Sequence, residues 1–259
     1  MSKTEVQISE KYIKFIVENQ IVVFDIEKIQ KLKKIGVAFS SGTDSSLIFC
    51  LLAKYIPHIE IIPWYGIEFH QIAGLDFVKN AYKKIVNNYP NANIAPMRYF
   101  GIDKKDPIWI KTFFNHENYV EPLDSNIKNF ILDQFKEEYI SVGITNVNTF
   151  GTLMAPPKSE CDKYGFTKYV EPRRWESNGH EWSMIGVKIW QPLKSVNKRF
   201  VAGMFKKEGL MDWLYPHLNS CAGRDPIKTN NFTKPCKNEC FHCYERKWGF
   251  GTYDGGLYE

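Results

Sequence analysis

Ile35-Gly36-Val37-Ala38-Phe39-Ser40-Ser41-Gly42-Thr43-Asp44-Ser45-Ser46-Leu47-Ile48-Phe49-Cys50 changes character twice in a short span. Ile35 to Phe39 is a small apolar run of the kind that makes a buried parallel strand. Ser40 to Ser46 is small and hydroxylated, and Leu47 to Tyr55 is an amphipathic run that reads as a helix. A strand, a tight polar turn and a helix N-terminus together form a phosphate-binding geometry. Successive backbone N–H groups and the helix dipole converge on one point, and short hydroxyls add donors without crowding it. The same composition also suits an ordinary βα turn with a Ser or Asp N-cap. A Walker A loop is excluded, because its lysine must follow the glycine to reach the terminal phosphates, and no lysine follows Gly42.

Outward from this turn, the chain alternates strands and helices. Ahead of it, Tyr12 to Val17 and Ile21 to Phe24 read as a strand pair or hairpin, with Ile26 to Lys34 a short helix or connector. Behind it, Glu60 to Gly66 reads as a second strand and Ala73 to Tyr89 as a helix ended by Pro90. Ile94 to Phe100 gives a third strand, Ser125 to Glu138 a helix, and Tyr139 to Thr145 a fourth strand. Repeated strand–helix–strand units imply an α/β fold, a parallel sheet with helices on both faces. Ligands in such sheets sit at the C-terminal ends of the strands, where Ser40 to Ser46 falls. From Asn146 to about Gly179 periodicity fails, which predicts a long functional or irregular segment. Trp182 to Trp190 returns as a strand, Asn197 to Gly209 as a helix and Met211 to Leu218 as a shorter one. The division expected is an N-terminal extension over 1–34, an α/β nucleotide-binding domain over 35–210 and a small Cys-rich element over 211–259.

Composition bounds the class. A chain of 259 residues with a net charge of +5 buries a sizeable core and carries too little charge to argue for nucleic acid by itself. A nucleic-acid partner is therefore not expected, though not excluded. No run approaches the roughly 18 apolar residues of a membrane span. MSKTEVQISEKYIKF has no apolar signal-peptide core, so a cytoplasmic, reducing location is expected. There, cysteines serve as metal ligands or buried thiols more often than as disulfides.

Cys221, Cys236, Cys240 and Cys243 follow a C-x14-C-x3-C-x2-C spacing. Zinc takes four such ligands in a tetrahedron, and a close pair on a tight turn supplies two of them. Four thiolates leave no open position for water, so a structural Zn2+ is expected. Four chance thiols are the plain alternative. His217 and His242 could each replace a sulfur, but both read as surface residues. Cys50 reads as a core thiol on the loop helix, and Cys161 has no assignment.

The turn resembles the SGGxDS signature of the PP-loop ATP pyrophosphatases (the adenine nucleotide alpha hydrolase-like fold), with Ser41 in place of the first glycine. Together with the cysteine element, it resembles the 7-cyano-7-deazaguanine synthase family. Members of that family end in SC…PCGxCxxCxxRxxGF. Here Ser220-Cys221, Pro235-Cys236, Cys240, Cys243, Arg246 and Gly249-Phe250 match, with one extra residue between the second and third cysteines. Pro192-Leu193-Lys194-Ser195-Val196-Asn197-Lys198 matches the family's Pro-Leu and helix-opening lysine. The chain departs from the family's Tyr-Pro-Asp-Cys-Arg run, offering only Pro156-Pro157-Lys158-Ser159-Glu160-Cys161-Asp162.

The resemblance implies that a carboxylate attacks the ATP α-phosphate, releasing pyrophosphate, and that ammonia displaces AMP to give an amide. A second adenylation and dehydration then gives a nitrile. It implies that Ser40, Ser41, Gly42, Thr43, Asp44, Ser45 and Ser46 cradle the nucleotide phosphates. Asp44 would orient the turn or hold Mg2+, since a triphosphate needs charge neutralisation. Lys198 would stabilise charge at the phosphates; a solvated helix lysine is its plain reading. Tyr65 and Gly66 would flank the adenine, and Gly143 and Thr145 would contact nucleotide or acyl group. Arg173 and Arg174 could meet a carboxylate, and family members are often homodimers. Other readings stay open: PP-loop tRNA modification, PAPS-reductase-like sulfur transfer, or a zinc-stabilised protein that binds nucleotide without turnover.

Overall fold

The computed structural model describes residues 3–66, 75–100, 147–149, 154–163, 188–220 and 241–252. Three strands open it: β1 (Thr4–Ile8), β2 (Tyr12–Val17) and β3 (Gln20–Asp25), an antiparallel sheet in the order β1-β2-β3. The expected hairpin is β2 and β3, paired from Val17↔Gln20 to Tyr12↔Asp25. β1 is an addition, paired with β2 from Thr4↔Val17 to Ile8↔Ile13. Alternation sets the buried face, with Ile13, Phe15, Val17, Val22 and Phe24 all inside. Helix α1 (Ile26–Gln30) follows, capped by the Asp25 side chain, which accepts from the Lys28 amide.

The second sheet is parallel, with β4 (Lys34–Ala38), β5 (Glu60–Gly66), β6 (Arg98–Phe100), β7 (Val147–Thr149) and β8 (Lys188–Trp190) in the order β6-β5-β4-β7-β8. The order reverses at β4, so the loop after β4 stands at the topological switch point, where open α/β sheets leave a crevice for ligand. Helix α2 (Thr43–Tyr55) leaves that loop, and α3 (Leu75–Asn88) follows β5. α4 (Lys158–Lys163) precedes β8, and α5 (Lys198–Lys207), α6 (Leu210–Trp213), a 3-10 turn (Tyr215–His217) and α7 (Phe241–Phe250) come after it.

Three expectations change. The run after Leu47 is not amphipathic: Thr43 and Ser45 through Ala53 are all buried. A helix enclosed on all sides carries apolar residues all round, and α2 packs against β4, β5 and α5. The stretch from Asn146, expected to be irregular, holds β7 and α4. β7 is too short to show a period, and its partners on either side, β4 and β8, define it instead of its own residues. His217, expected at the surface, is half-buried, and that burial, with Lys84 nearby, lowers its pKa. The expected helix over 125–138, the strand over 139–145, and most of that over 182–190 lie outside the described residues, as do Arg173 and Arg174.

One hydrophobic cluster joins the two sheets, running from Phe15 and Phe24 through Leu47, Leu51 and Ile61 to Phe200, Phe205 and Phe250. The N-terminal sheet meets α5 closely at Gly203, where a Cβ would lie 2.6 Å from Val17 Cγ1. Cys50 lies in this core, and burial pushes its thiol well above the ordinary range. Among the described residues no helix is long and apolar enough to cross a membrane.

Candidate functional site

The loop after β4 is held from both sides. The Phe39 amide donates to Trp64 O at 2.8 Å, extending the β4–β5 ladder by one residue. The Ser40 amide then donates to Ser45 Oγ (3.2 Å), Ser45 Oγ donates to Gly42 O (3.2 Å), and the Ser46 amide closes the first helical turn on Gly42 O (3.0 Å). The N-cap is Gly42, not a Ser or Asp, and it supplies no side-chain acceptor. Among the described residues nothing caps the amides of Thr43, Asp44 and Ser45. Three aligned N–H donors are thus available at the positive end of a thirteen-residue helix.

The hydroxyls divide by exposure. Ser40 is exposed and Gly42 and Asp44 are half-exposed, whereas Ser41, Thr43, Ser45 and Ser46 are buried. Ser46 Oγ has no hydrogen-bond partner among the described residues. The open face of the loop is therefore made of backbone, Ser40 and Asp44. Ser41 adopts φ +56°, the left-handed region that favours glycine. Its carbonyl is tied by the Asn219 amide at 3.1 Å, which helps hold a conformation costing a non-glycine residue about 1–2 kcal/mol. Ser41→Gly is accordingly expected to raise stability by roughly 1 kcal/mol, a Tm gain of about 2–4 °C, whereas Ser41→Ala gains nothing. Thermal melts of both variants check this, and a glycine variant no more stable than wild type would show that the serine side chain outweighs the backbone strain.

Lys198 comes to this loop from the far end of the fold. It opens α5, whose N-cap Asn197 accepts the Arg199 amide at 3.0 Å and donates its own amide to Gln20 Oε1 at 2.8 Å. The N-terminal sheet, to which the sequence assigned no chemistry, therefore fixes where α5 starts. Lys198 is 5% exposed, so it is not a solvated helix lysine. Its Nζ is paired with Asp44 Oδ1, donates to Thr43 Oγ1 at 3.4 Å and lies 3.8 Å from Glu245 Oε2. At the other ends of the same two helices, Glu208 Oε2 pairs with Lys54 (2.6 Å) and Glu208 Oε1 accepts from Tyr55 (2.9 Å). α2 and α5 are thus pinned side by side in the same direction, and both positive helix ends face one place.

α7 closes the back of the site. Arg246 is wholly buried, with Nη1 donating to Ser220 Oγ at 2.8 Å, Nε donating to the Tyr215 hydroxyl at 3.2 Å and its guanidinium 4.3 Å above the Tyr215 ring. Ser220 Oγ would lie 3.8 Å from a Cβ placed on Gly42, so the chain reaches the loop directly here. At Gly249 a Cβ would lie 2.7 Å from Lys198 Cγ and 2.9 Å from Lys198 O; only glycine lets α7 come this near. Ser220, Arg246 and Gly249 were visible in the sequence as motif matches without a role. Glu245 was missed, and the one available signal was an acid beside an arginine in the helix Phe241–Phe250.

The remaining expected residues fall as follows. Tyr65 and Gly66 end β5, next to the loop, but Tyr65 is 4% exposed and belongs to the core, so its ring does not line an open face. Gly143, Thr145, Cys221, Cys236 and Cys240 lie outside the described residues. Cys243 is buried in the first turn of α7, and His242 beside it is exposed. Among the described residues no group of three or more His, Cys, Asp and Glu side chains is placed to hold a metal.

No protein-family model matches the sequence, and no curated protein matches it. Among solved structures, the U34-tRNA thiolase NcsA from Methanococcus maripaludis, with its 4Fe-4S cluster, is similar at 16% sequence identity and a TM-score of 0.43, over 80% of this chain. This chain spans 65% of the length of that one.

Proposed function

We propose that the loop over 40–46 binds the phosphates of ATP with Mg2+ and that the protein adenylates an acceptor, releasing pyrophosphate. The observation that carries this reading is the uncapped N-terminus of α2 with Lys198 seated against it, 154 residues away in the chain. Three free amides and an ammonium suit a polyphosphate, which is stabilised by several donors and a cation together. The half-exposed Asp44 suits Mg2+, which prefers one or two carboxylates and the phosphate oxygens. The Gly42 turn lets the phosphates approach, the first-turn amides orient them, and Lys198 stabilises the charge that develops on the leaving pyrophosphate.

In its finer form, the acceptor is a carboxylate, 7-carboxy-7-deazaguanine. Its oxygen attacks the α-phosphorus, the bond to the β-phosphate oxygen breaks, and ammonia then displaces AMP to give the amide. A second ATP activates the amide oxygen, which leaves with AMP to give the nitrile. The support is that Lys198, Ser220, Arg246 and Gly249, drawn from separate matching segments, meet around the loop. Cys221, Cys236, Cys240 and Cys243 remain the ligands proposed for a structural Zn2+, just ahead of the Glu245–Arg246 pair.

The test is mass spectrometry of the purified protein incubated with ATP, Mg2+, ammonium and 7-carboxy-7-deazaguanine, beside a second incubation with tRNA and a sulfur donor. Asp44→Ala serves as the blank. AMP with the nitrile establishes the finer reading. AMP only in the tRNA incubation moves the acceptor to RNA, and bound ATP without AMP in either leaves a nucleotide-binding protein.

A further inference from the structure

Among the described residues, Lys198 faces two carboxylates. One ammonium lies between two carboxylates, Asp44 on the loop and Glu245 on α7, and the three side chains differ in freedom. Asp44 is about one-fifth exposed, whereas the Lys198 and Glu245 side chains are 6% and 1% exposed. Asp44 is the partner that can turn outward to a Mg2+ ion or give way to a phosphate. Glu245 has nowhere to go. α7 is locked on α5 by the Gly249 contact with the Lys198 backbone and by Arg199 Cζ, 4.4 Å over the Trp248 ring.

A buried ammonium that loses its counter-ion bears a large desolvation cost. We infer that Glu245 is a positioning residue, resting on the ATP reading above: it holds Lys198 aimed at the loop while Asp44 is released to the nucleotide and its metal. Lys198 exchanges one partner for another without passing through an unpaired state. α7, at the C-terminal end of the cysteine run, is thereby a working part of the phosphate site. Glu245 is placed to act through Lys198, not on the nucleotide or the metal.

Isothermal titration of the full chain with Mg·ATP and with AMP tests this. In Glu245→Gln the Kd for Mg·ATP is expected to rise about tenfold and that for AMP to change less than twofold, because Lys198 faces the pyrophosphate portion. In a Lys198→Met background, Glu245→Gln is expected to add no further loss. Glu245→Asp, which keeps the charge with a shorter reach, is expected to fall between wild type and Glu245→Gln. Equal weakening of ATP and AMP, or the same loss in the Lys198→Met background, would show that Glu245 merely packs α7 and would overturn the inference. An unchanged Kd would overturn it too. Should Glu245→Gln fold poorly, Glu245→Asp carries the same comparison: ATP weakened alone supports the inference, and ATP and AMP weakened together overturn it. Wild-type protein that binds no Mg·ATP would sink the ATP reading and this inference with it, an outcome distinct from normal wild-type binding with an indifferent Glu245.

Discussion

Lys198→Met is expected to weaken Mg·ATP binding roughly tenfold to a hundredfold while leaving the protein folded. Hydrogen bonds to charged groups contribute about 1.5–3 kcal/mol, and about 1.4 kcal/mol is a factor of ten in affinity. Methionine keeps the unbranched stem that lies against Gly249, so the packing of α5 on α7 survives. What disappears is the ammonium between Asp44 and Glu245. Asp44, on the open side, can turn to solvent, but Glu245, held in the interior, loses the Lys198 ammonium, so the expected stability loss is about 3–5 kcal/mol. Arginine is not a conservative replacement here, because its planar fork needs room beside a glycine contact that leaves none. Titration calorimetry with Mg·ATP, paired with thermal melts, separates the two effects. An unaltered Kd would reduce Lys198 to a counter-ion for Asp44.

Arg246→Ala is expected to be the most destabilising single change in the described C-terminal region, about 3–5 kcal/mol, in the range of large-to-small core substitutions. Among the described residues, the side chain is the largest wholly buried one. It stacks on Tyr215 at 4.3 Å and lies 5.8 Å from the Phe250 ring centroid, while Nη1 and Nε hold Ser220 and the Tyr215 hydroxyl. Truncation removes these contacts together and leaves a cavity under α7. For a chain of this length, about 3–5 kcal/mol corresponds to a Tm drop of roughly 10 °C. The loss should reach the loop, since Ser220 neighbours Asn219, whose amide holds the strained Ser41 peptide. Arg246→Lys is expected to recover little, having neither the fork nor the flat face. A melting temperature within about 2 °C of wild type would mean that relief from burying the charge offsets everything the guanidinium contributes.

The loop and its flanking elements were legible because their determinants are local. A five-residue apolar strand, a run of small polar residues and the helix after it each follow from side chains within a few positions of one another. The same holds for the short helix after Asp25 and the α5 helix. Lys198 was assigned to the phosphates only through the family resemblance of the run Pro192 to Lys198. Other features depend on what packs against what. β7 is a strand because β4 and β8 lie on either side of it, not because of its own three residues. α2 is buried all round, whereas the run after Leu47 was read as amphipathic. Ser41 was visible as an odd residue in a familiar turn, but its left-handed backbone was not, because φ is set by the loop's anchoring to Asn219. The partnership of Lys198 with both Asp44 and Glu245 spans the whole chain. No spacing encodes it, since it arises only when α7, admitted by Gly249, closes against α5. Sequence determined the strand, the small polar loop and the helix that follows it; the packing of two helices decided which charge stands beside that loop.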